Sequence, residues 1–137
     1  MIYAVIDTNV LVSAILTNNL QSPTLLIMEA MLARQIIPLY NEEILSEYAE
    51  VLHRPKFGFA DNAINLYIDA IKKEGMSSQR MTSSENFPDP KDVVFYEVAL
   101  SKEDAYLVTG NTKHFPKTPI VVTPAEMLEI LKKEGIL

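Results

Sequence analysis

The sequence predicts an α/β protein with three layers, α/β/α, around a mostly parallel central sheet. Short apolar runs alternate along the chain with longer segments of helical periodicity. The first run, Ile2–Ile6, has no polar face and ends at Asp7. A strand that is apolar on both sides is typical of a parallel sheet whose two faces are covered. Strands that alternate with helices are joined by crossovers, which place the helices on both faces.

Length and composition limit the class of protein. The chain has 137 residues, of which 48% are hydrophobic, and this predicts one domain over residues 1–137 with its own core. The absence of cysteine excludes a disulfide framework, a thiolate zinc site and a cysteine nucleophile. No signal peptide is visible and no apolar run approaches the ~20 residues that span a bilayer. We therefore expect a cytoplasmic protein that does not enter a membrane.

The net charge is −6, which argues against a broad basic surface that binds nucleic acid by electrostatic attraction alone. Solubility is the simplest explanation of such an acidic balance. Acidic side chains gathered in one pocket can instead bind metal ions. The charge therefore leaves open an enzyme that meets nucleic acid through a bound cation.

The predicted elements follow one another with few interruptions. Predicted strands cover residues 2–6, 35–40, 105–109 and 120–122, with a short edge strand near 79–82 in the long loop 75–91. Predicted helices cover residues 8–16, 22–33, 41–53, 61–73 and 92–101, and a last helix opens at Thr123-Pro124 and ends near Gly135. Prolines in the first turns support the predicted helix starts, and Gly75 supports the end of the helix over residues 61–73.

Acidic side chains occur where predicted strands end, and ligand sites in parallel sheets form at those ends. Asp7 follows the first strand directly, although an aspartate there also fits the N-cap of the next helix. The helix over residues 41–53 carries four acids. At ~100° per residue, Glu47 is the one nearest the apolar stripe. Glu47 is therefore the acid of this helix that we expect to face an interior cleft.

The next acids lie around a helix start. In Asp89-Pro90-Lys91-Asp92, Asp89 fits the N-cap and Asp92 is predicted to lie on a buried side of the helix. Glu97 is predicted to be the single solvent-facing position of an otherwise apolar helix. Asn111, after the strand over residues 105–109, supplies either a neutral oxygen ligand or a turn residue. His114 is interpreted as a surface or packing residue.

Four motifs occur in order along the chain. They are Val5-Ile6-Asp7-Thr8-Asn9-Val10-Leu11-Val12-Ser13, Ile44-Leu45-Ser46-Glu47-Tyr48-Ala49-Glu50-Val51-Leu52, Asp89-Pro90-Lys91-Asp92 with Ala99-Leu100, and Leu107-Val108-Thr109-Gly110-Asn111. Together they resemble the PIN-domain family, the metal-dependent ribonuclease fold found in many toxins of toxin–antitoxin systems. The resemblance covers almost the whole chain and implies a PIN-like, Rossmann-like architecture.

The resemblance implies a set of site residues. Asp7, Glu47 and Asp92 would be the catalytic, metal-binding carboxylates, and Asn111 stands where the family often has a fourth acid. This departure lowers the charge of the ligand set. The residues that would orient the ligating carboxylates are Thr8, Asn9, Asp89 and Thr109. Ligands that are all oxygen suit Mg²⁺ or Mn²⁺.

The implied activity is hydrolysis of RNA phosphodiester bonds, which leaves a 5′-phosphate and a 3′-hydroxyl. The implied biological role is that of the toxin of a toxin–antitoxin pair, with a small antitoxin protein and a second copy of the chain as partners. Arg54, Lys56 and Lys113 are candidate phosphate contacts beside the cleft. Ordinary exposed bases are the simpler explanation of these three residues.

Other interpretations compete with this one. A non-catalytic PIN-like module that binds RNA or protein is favoured by Asn111. A phosphatase with Asp7 as nucleophile would need a second carboxylate where Asn9 stands. A receiver-like signalling domain would need an aspartate at the end of the strand over residues 35–40, and none is present there.

Overall fold

The computed structural model describes residues 1–137, with five strands at its centre. The strands are β1 (Ile2–Ile6), β2 (Ile36–Tyr40), β3 (Met76–Ser77), β4 (Tyr106–Val108) and β5 (Val121–Val122). They form one sheet in the order β3-β2-β1-β4-β5, and every neighbouring pair is parallel. β1 is central, and its register pairs Ile2 with Ile36 of β2 and Ile6 with Val108 of β4.

Six α-helices surround the sheet. They are α1 (Thr8–Leu16), α2 (Pro23–Leu32), α3 (Glu42–Leu52), α4 (Asp61–Glu74), α5 (Val93–Leu100) and α6 (Pro124–Lys133). The sequence sets several of their ends: the Asn41 side chain accepts a hydrogen bond from the Ile44 amide, and Thr123 forms a reciprocal capping box with Glu126. None of the helices combines the length and the apolar character that crossing a membrane requires.

The predicted three-layer α/β/α class is confirmed, with a sheet that is wholly rather than mostly parallel. The core is one cluster of 32 buried residues. Ala4, Val5 and Ile6 of β1 are completely buried, as expected for a central strand that is covered on both faces. On one side α2 packs against α1 and α6, and elsewhere α5 packs against β1 and β4.

The predicted edge strand near residues 79–82 is wrong. The edge strand is β3, which begins directly after Gly75 and pairs with the last two residues of β2. A side chain at residue 75 would place its Cβ 2.4 Å from the carbonyl oxygens of Ile71 and Pro38, so only glycine lets α4 end this close to β2. The chain beyond β3 then leaves the sheet and contacts α5 instead, where the Met81 amide donates to the Glu97 carbonyl.

The prediction that Glu97 faces solvent is also wrong, because this residue is only 6% exposed. Its carboxylate accepts hydrogen bonds from the Ser83 amide at 2.7 Å and from Arg80 Nε at 2.8 Å. The Arg80 guanidinium also contacts Glu43 of α3 at 2.8 Å. The loop therefore supplies the positive charge and the amide that make a buried glutamate tolerable.

Candidate metal centre

The acidic residues converge where β1 and β4 end side by side. Asp7 follows β1, Thr109 follows β4, and the Asp7 amide donates to the Val108 carbonyl at 2.9 Å. The strand order reverses direction at this pair. β2 and β3 lie on one side of β1, whereas β4 and β5 lie on its other side. Open parallel sheets form their ligand crevices at such points, outside the carboxyl ends of the strands.

Asp7 is 6% exposed and is held by three hydrogen bonds. Its Oδ1 accepts from the Thr8 amide at 2.8 Å, which makes it the N-cap of α1, and its Oδ2 accepts from Thr109 Oγ1 at 2.8 Å and from Asn9 Nδ2 at 3.1 Å. Burial raises the pKa of Asp7 to about 6, the charge of Asp92 adds to the rise, and the hydrogen bonds from Thr109 and Thr8 oppose it. Asp7 therefore caps a helix and also lies in the crevice.

Thr109 and Asn9 form a small network that fixes the Asp7 carboxylate. Thr109 is fully buried, and its hydroxyl also accepts a hydrogen bond from the backbone amide of Asn111 at 3.0 Å. Asn9 Oδ1 accepts from the Gly110 amide at 3.0 Å. Thr8 contributes its backbone amide to Asp7, whereas its buried hydroxyl has no hydrogen-bond partner.

Asp92 lies at the end of a short 3₁₀ helix, Pro90–Asp92, that leads into α5. Its side chain is 17% exposed, and its Oδ2 is buried without a hydrogen-bond partner, 3.4 Å from His114 Nδ1. Burial raises the pKa of Asp92, and the charges of Asp89 and Glu47 raise it further, while His114 opposes the rise. Asp89 is exposed and accepts from the Lys91 amide at 2.9 Å, so it occupies the capping position.

Glu47 is half-buried on α3, and the next residue anchors this helix to the crevice. The Tyr48 hydroxyl, which is fully buried, donates a hydrogen bond to the carbonyl oxygen of Ile6, the residue before Asp7. Burial and the charge of Asp7 raise the pKa of Tyr48, which keeps the hydroxyl protonated as a donor. In the sequence, Tyr48 belongs to the apolar stripe of this helix with Ile44 and Val51, and its position directly after Glu47 is the local signal for this role.

Asn111 and His114 close the far side of the crevice. Asn111 Nδ2 lies 3.2 Å from His114 Nε2, and the His114 ring in turn faces Asp92. The His114 side chain is 47% exposed. The interpretation of His114 as a surface or packing residue does not include its proximity to Asp92, which depends on how the segment after β4 folds back.

The three carboxylates supply the oxygen donors that a divalent cation prefers, but their side chains do not point towards one common position. No group of three or more His, Cys, Asp or Glu side chains lies close enough together to hold a metal ion as the side chains stand. Asp92 nevertheless raises the pKa of Asp7, and Glu47 raises that of Asp92, so the three acids share one region. The donors are oxygen, and Asp92 Oδ2 is buried with no hydrogen-bond partner and with His114 Nδ1 at 3.4 Å. Oxygen donors of this kind suit a divalent cation if the three side chains rotate towards one another.

The three candidate phosphate contacts differ in their surroundings. Arg54 is paired with Glu50 at 2.9 Å, and Lys56 Nζ lies 5.1 Å from the centre of the Phe57 ring. Lys113 is exposed and belongs to the 3₁₀ helix Thr112–His114, next to the histidine that faces Asp92. Of the three, Lys113 is the one that the described contacts bring to the crevice.

A parallel α/β sheet with acidic residues at the crevice between its two central strands defines a class of domain that suits metal-dependent chemistry. A family model described as PIN domain matches residues 3–113, and the chain belongs to the PIN-domain family. This is a nuclease-type family that typically uses divalent metal ions and acts on RNA. The matched range includes Asp7, Glu47, Asp92 and Asn111. Neither a search of curated proteins nor one of solved structures found a significant match.

Proposed function

We propose that this PIN-domain protein is a metal-dependent endoribonuclease that hydrolyses RNA phosphodiester bonds. The observation that carries the proposal is the proximity of two carboxylates at the β1/β4 crevice: that of Asp7, which is buried, and that of Asp92, whose side chain is 17% exposed. Asp7 and Asp92 both have raised pKa values, and the charge of Asp92 contributes to the rise at Asp7. Neighbouring carboxylates that repel one another are stabilised by a cation between them.

We assign Asp7, Glu47 and Asp92 as the residues that would hold Mg²⁺ or Mn²⁺, with Asn111 as a neutral oxygen donor. When bound, the cation would neutralise the scissile phosphate and lower the pKa of a water molecule. The chain itself contributes orientation. Thr109 and Asn9 fix Oδ2 of Asp7, and Tyr48 holds α3, and with it Glu47, against the end of β1. Asp89 caps the 3₁₀ helix that presents Asp92.

The biological role we propose is that of the toxin in a toxin–antitoxin pair, acting on RNA in the cytoplasm. Membership of the PIN-domain family supports this role. A small antitoxin protein and a second copy of the chain are the partners that accompany it. Isolation of the chain with a small basic protein would support the toxin role, and isolation without one would count against it.

A second candidate function is a non-catalytic PIN-like module that binds RNA or protein. Two observations favour it: the fourth acid position holds Asn111, and no three potential ligands are gathered for a metal ion. The two functions differ in one measurable property, because only the nuclease consumes RNA.

Incubation of the purified protein with structured and unstructured RNAs, in EDTA, Mg²⁺ or Mn²⁺, tests the proposal. We expect cleavage with a divalent ion and none in EDTA. Asp7→Asn should abolish it, whereas Asp69→Asn, the same charge change at an exposed site on α4, should not. Cleavage that persists in Asp7→Asn, with a contaminating nuclease excluded, would remove Asp7 from the site. RNA binding without cleavage would favour the non-catalytic module.

A further inference from the structure

We infer that the segment of residues 112–118, between β4 and β5, forms a binding site for an RNA backbone phosphate beside the metal centre. The inference rests on the proposed function and specifies where the substrate strand runs. The segment borders a cavity of about 500 Å³, whose polar lining residues are Thr112, Lys113, Lys117, Thr118 and Glu126. We refer to this cavity as the lysine pocket.

The arginines of this chain are already engaged with carboxylates. All three arginines are held by carboxylates: Arg34 by Glu74, Arg54 by Glu50, and Arg80 by Glu43 and Glu97. A guanidinium that is already paired has part of its charge neutralised by the carboxylate, which weakens its attraction for a phosphate. In an acidic chain, contacts with RNA phosphates therefore fall mainly to lysines.

Lys113 and Lys117 are exposed and form no ion pair, and both line the same cavity. The acid of the pocket, Glu126, is already engaged, because its Oε1 accepts from the Thr123 amide at 2.8 Å in the capping box of α6. Two unpaired ammonium groups thus line a cavity whose one carboxylate is engaged in capping α6. The pocket carries a net positive charge in a chain of net charge −6, which favours an anionic ligand.

Thr118 gives a second indication of a ligand. Its Oγ1 is buried and has no hydrogen-bond partner, and an unsatisfied buried hydroxyl is costly. The backbone around it is fixed, since the Thr118 amide donates to the Pro116 carbonyl at 2.9 Å. Rotation about the Cα–Cβ bond would turn the hydroxyl towards a ligand in the cavity. A hydroxyl next to two ammonium groups matches the contacts that proteins make with phosphate oxygens.

The lysine pocket and the metal centre lie on either side of one short helix. Thr112 and Lys113 belong to the same 3₁₀ helix as His114, whose Nδ1 is 3.4 Å from Asp92 Oδ2. A strand whose scissile phosphate meets the carboxylates can therefore place a neighbouring phosphate in the pocket. This position explains how an acidic protein would hold a polyanion close to its own carboxylates.

Binding of a labelled single-stranded RNA to the Asp7→Asn protein in EDTA, measured over a range of salt concentrations, tests the inference without cleavage. We expect Lys113→Gln/Lys117→Gln to weaken binding on the order of tenfold at about 0.1 M salt and to reduce the slope of log Kd against log salt by about 1.4. The control Lys72→Gln/Lys73→Gln removes the same charge from α4 and should leave the slope unchanged. Equal effects of the two double variants would overturn the inference.

Two further arms make the result specific. Thr118→Val keeps the side-chain shape and removes the unpartnered hydroxyl, so we expect weaker RNA binding with an unchanged salt slope and no loss of thermal stability. Unchanged RNA affinity in Thr118→Val would remove Thr118 from the site. Competition by inorganic phosphate as strong as by RNA, at equal phosphate concentration, would indicate a free-anion site and overturn the assignment to RNA.

The failure of this inference can be told apart from that of the proposed function. If the wild-type protein cleaves RNA with Mn²⁺ and the two double variants bind RNA equally, only the lysine pocket is disproved. If the wild-type protein neither cleaves nor binds RNA, the proposed function fails and the inference fails with it.

Discussion

The hydroxyl of Thr109 donates a 2.8 Å hydrogen bond to Oδ2 of Asp7, joining the ends of two neighbouring strands across 102 positions of sequence. Both residues are buried, so the contact is shielded from competing water. It also opposes the rise in the pKa of Asp7, because it stabilises the charged carboxylate. Thr109 thus holds Asp7 in one orientation and keeps it easier to ionise.

Removal of this hydroxyl should weaken metal binding. We expect Thr109→Val to raise the pKa of Asp7 further and to increase the Kd for Mn²⁺ by about 10–100-fold, as loss of an orienting partner commonly does. Isothermal titration calorimetry measures the Kd, and NMR titration measures the pKa. Thr82→Val is the matched control, because it is the same substitution at an exposed position outside the Asp7 hydrogen-bond network. Equal metal affinity in both variants would show that the Thr109 hydrogen bond has no part in binding.

The stability of the metal-free protein should depend on pH through Asp7. Its pKa is raised from 3.8 to about 6, so the folded state favours the protonated form. The stabilising contribution is complete below the unfolded pKa and is lost as the pH rises through about 6. Ionised Asp7 therefore costs about 3 kcal/mol at neutral pH.

Asp7→Asn should accordingly melt higher than wild type in EDTA at neutral pH, and the difference should vanish near about pH 4. Unfolding by urea or heat across this range measures the effect. Some pH dependence should persist in the variant, because the pKa of Asp92 is also raised. If the stabilities of the wild type and the variant differed by the same amount at every pH, the charge of Asp7 would not destabilise the fold.

Divalent cations should stabilise the fold. At ten times Kd the gain is about 1.4 kcal/mol, which for a domain of this size raises Tm by roughly 3–7 °C. Thermal unfolding with Mg²⁺ or Mn²⁺ measures it, and KCl at matched ionic strength controls for screening. If KCl raised Tm as much as Mn²⁺ does, the stabilisation would come from screening of exposed acids rather than from a bound ion.

Asn111→Asp should place an acid at the position that we propose for a fourth ligand. The additional negative charge should lower the metal concentration needed for half-maximal cleavage. Metal titrations of activity in the two proteins give the comparison, with Asn111→Ala as a variant that removes the amide without adding charge. Superimposable curves for wild type and Asn111→Asp would place residue 111 outside the coordination sphere and leave it as a turn residue.

The sequence predicts the fold well where the signals are local. β1 is apolar on both faces because both are covered, and the caps at Asn41 and Thr123 begin the helices where their side chains reach the first free amides. The strand-end position of Asp7 is local in the same sense, because the strand that precedes it directly sets its place at the crevice.

Features that depend on distant partners could not be predicted. The contact between Thr109 and Asp7 exists because β4 pairs with β1, and no local pattern specifies that register. Glu97 looks like a solvent-facing position because the guanidinium that neutralises it comes from Arg80, 17 positions away in a loop. The same loop contact draws the chain away from the sheet, which is why the edge strand ends at Ser77.

We propose that Asp7, Glu47 and Asp92 together bind one divalent cation. Calorimetric titration with Mn²⁺ of the wild type and of Asp7→Asn, Glu47→Gln, Asp92→Asn and Asp69→Asn tests it most directly. We predict a single tight site in the wild type and in Asp69→Asn, and its loss in each of the other three. An unchanged Mn²⁺ isotherm in Asp7→Asn would contradict the account.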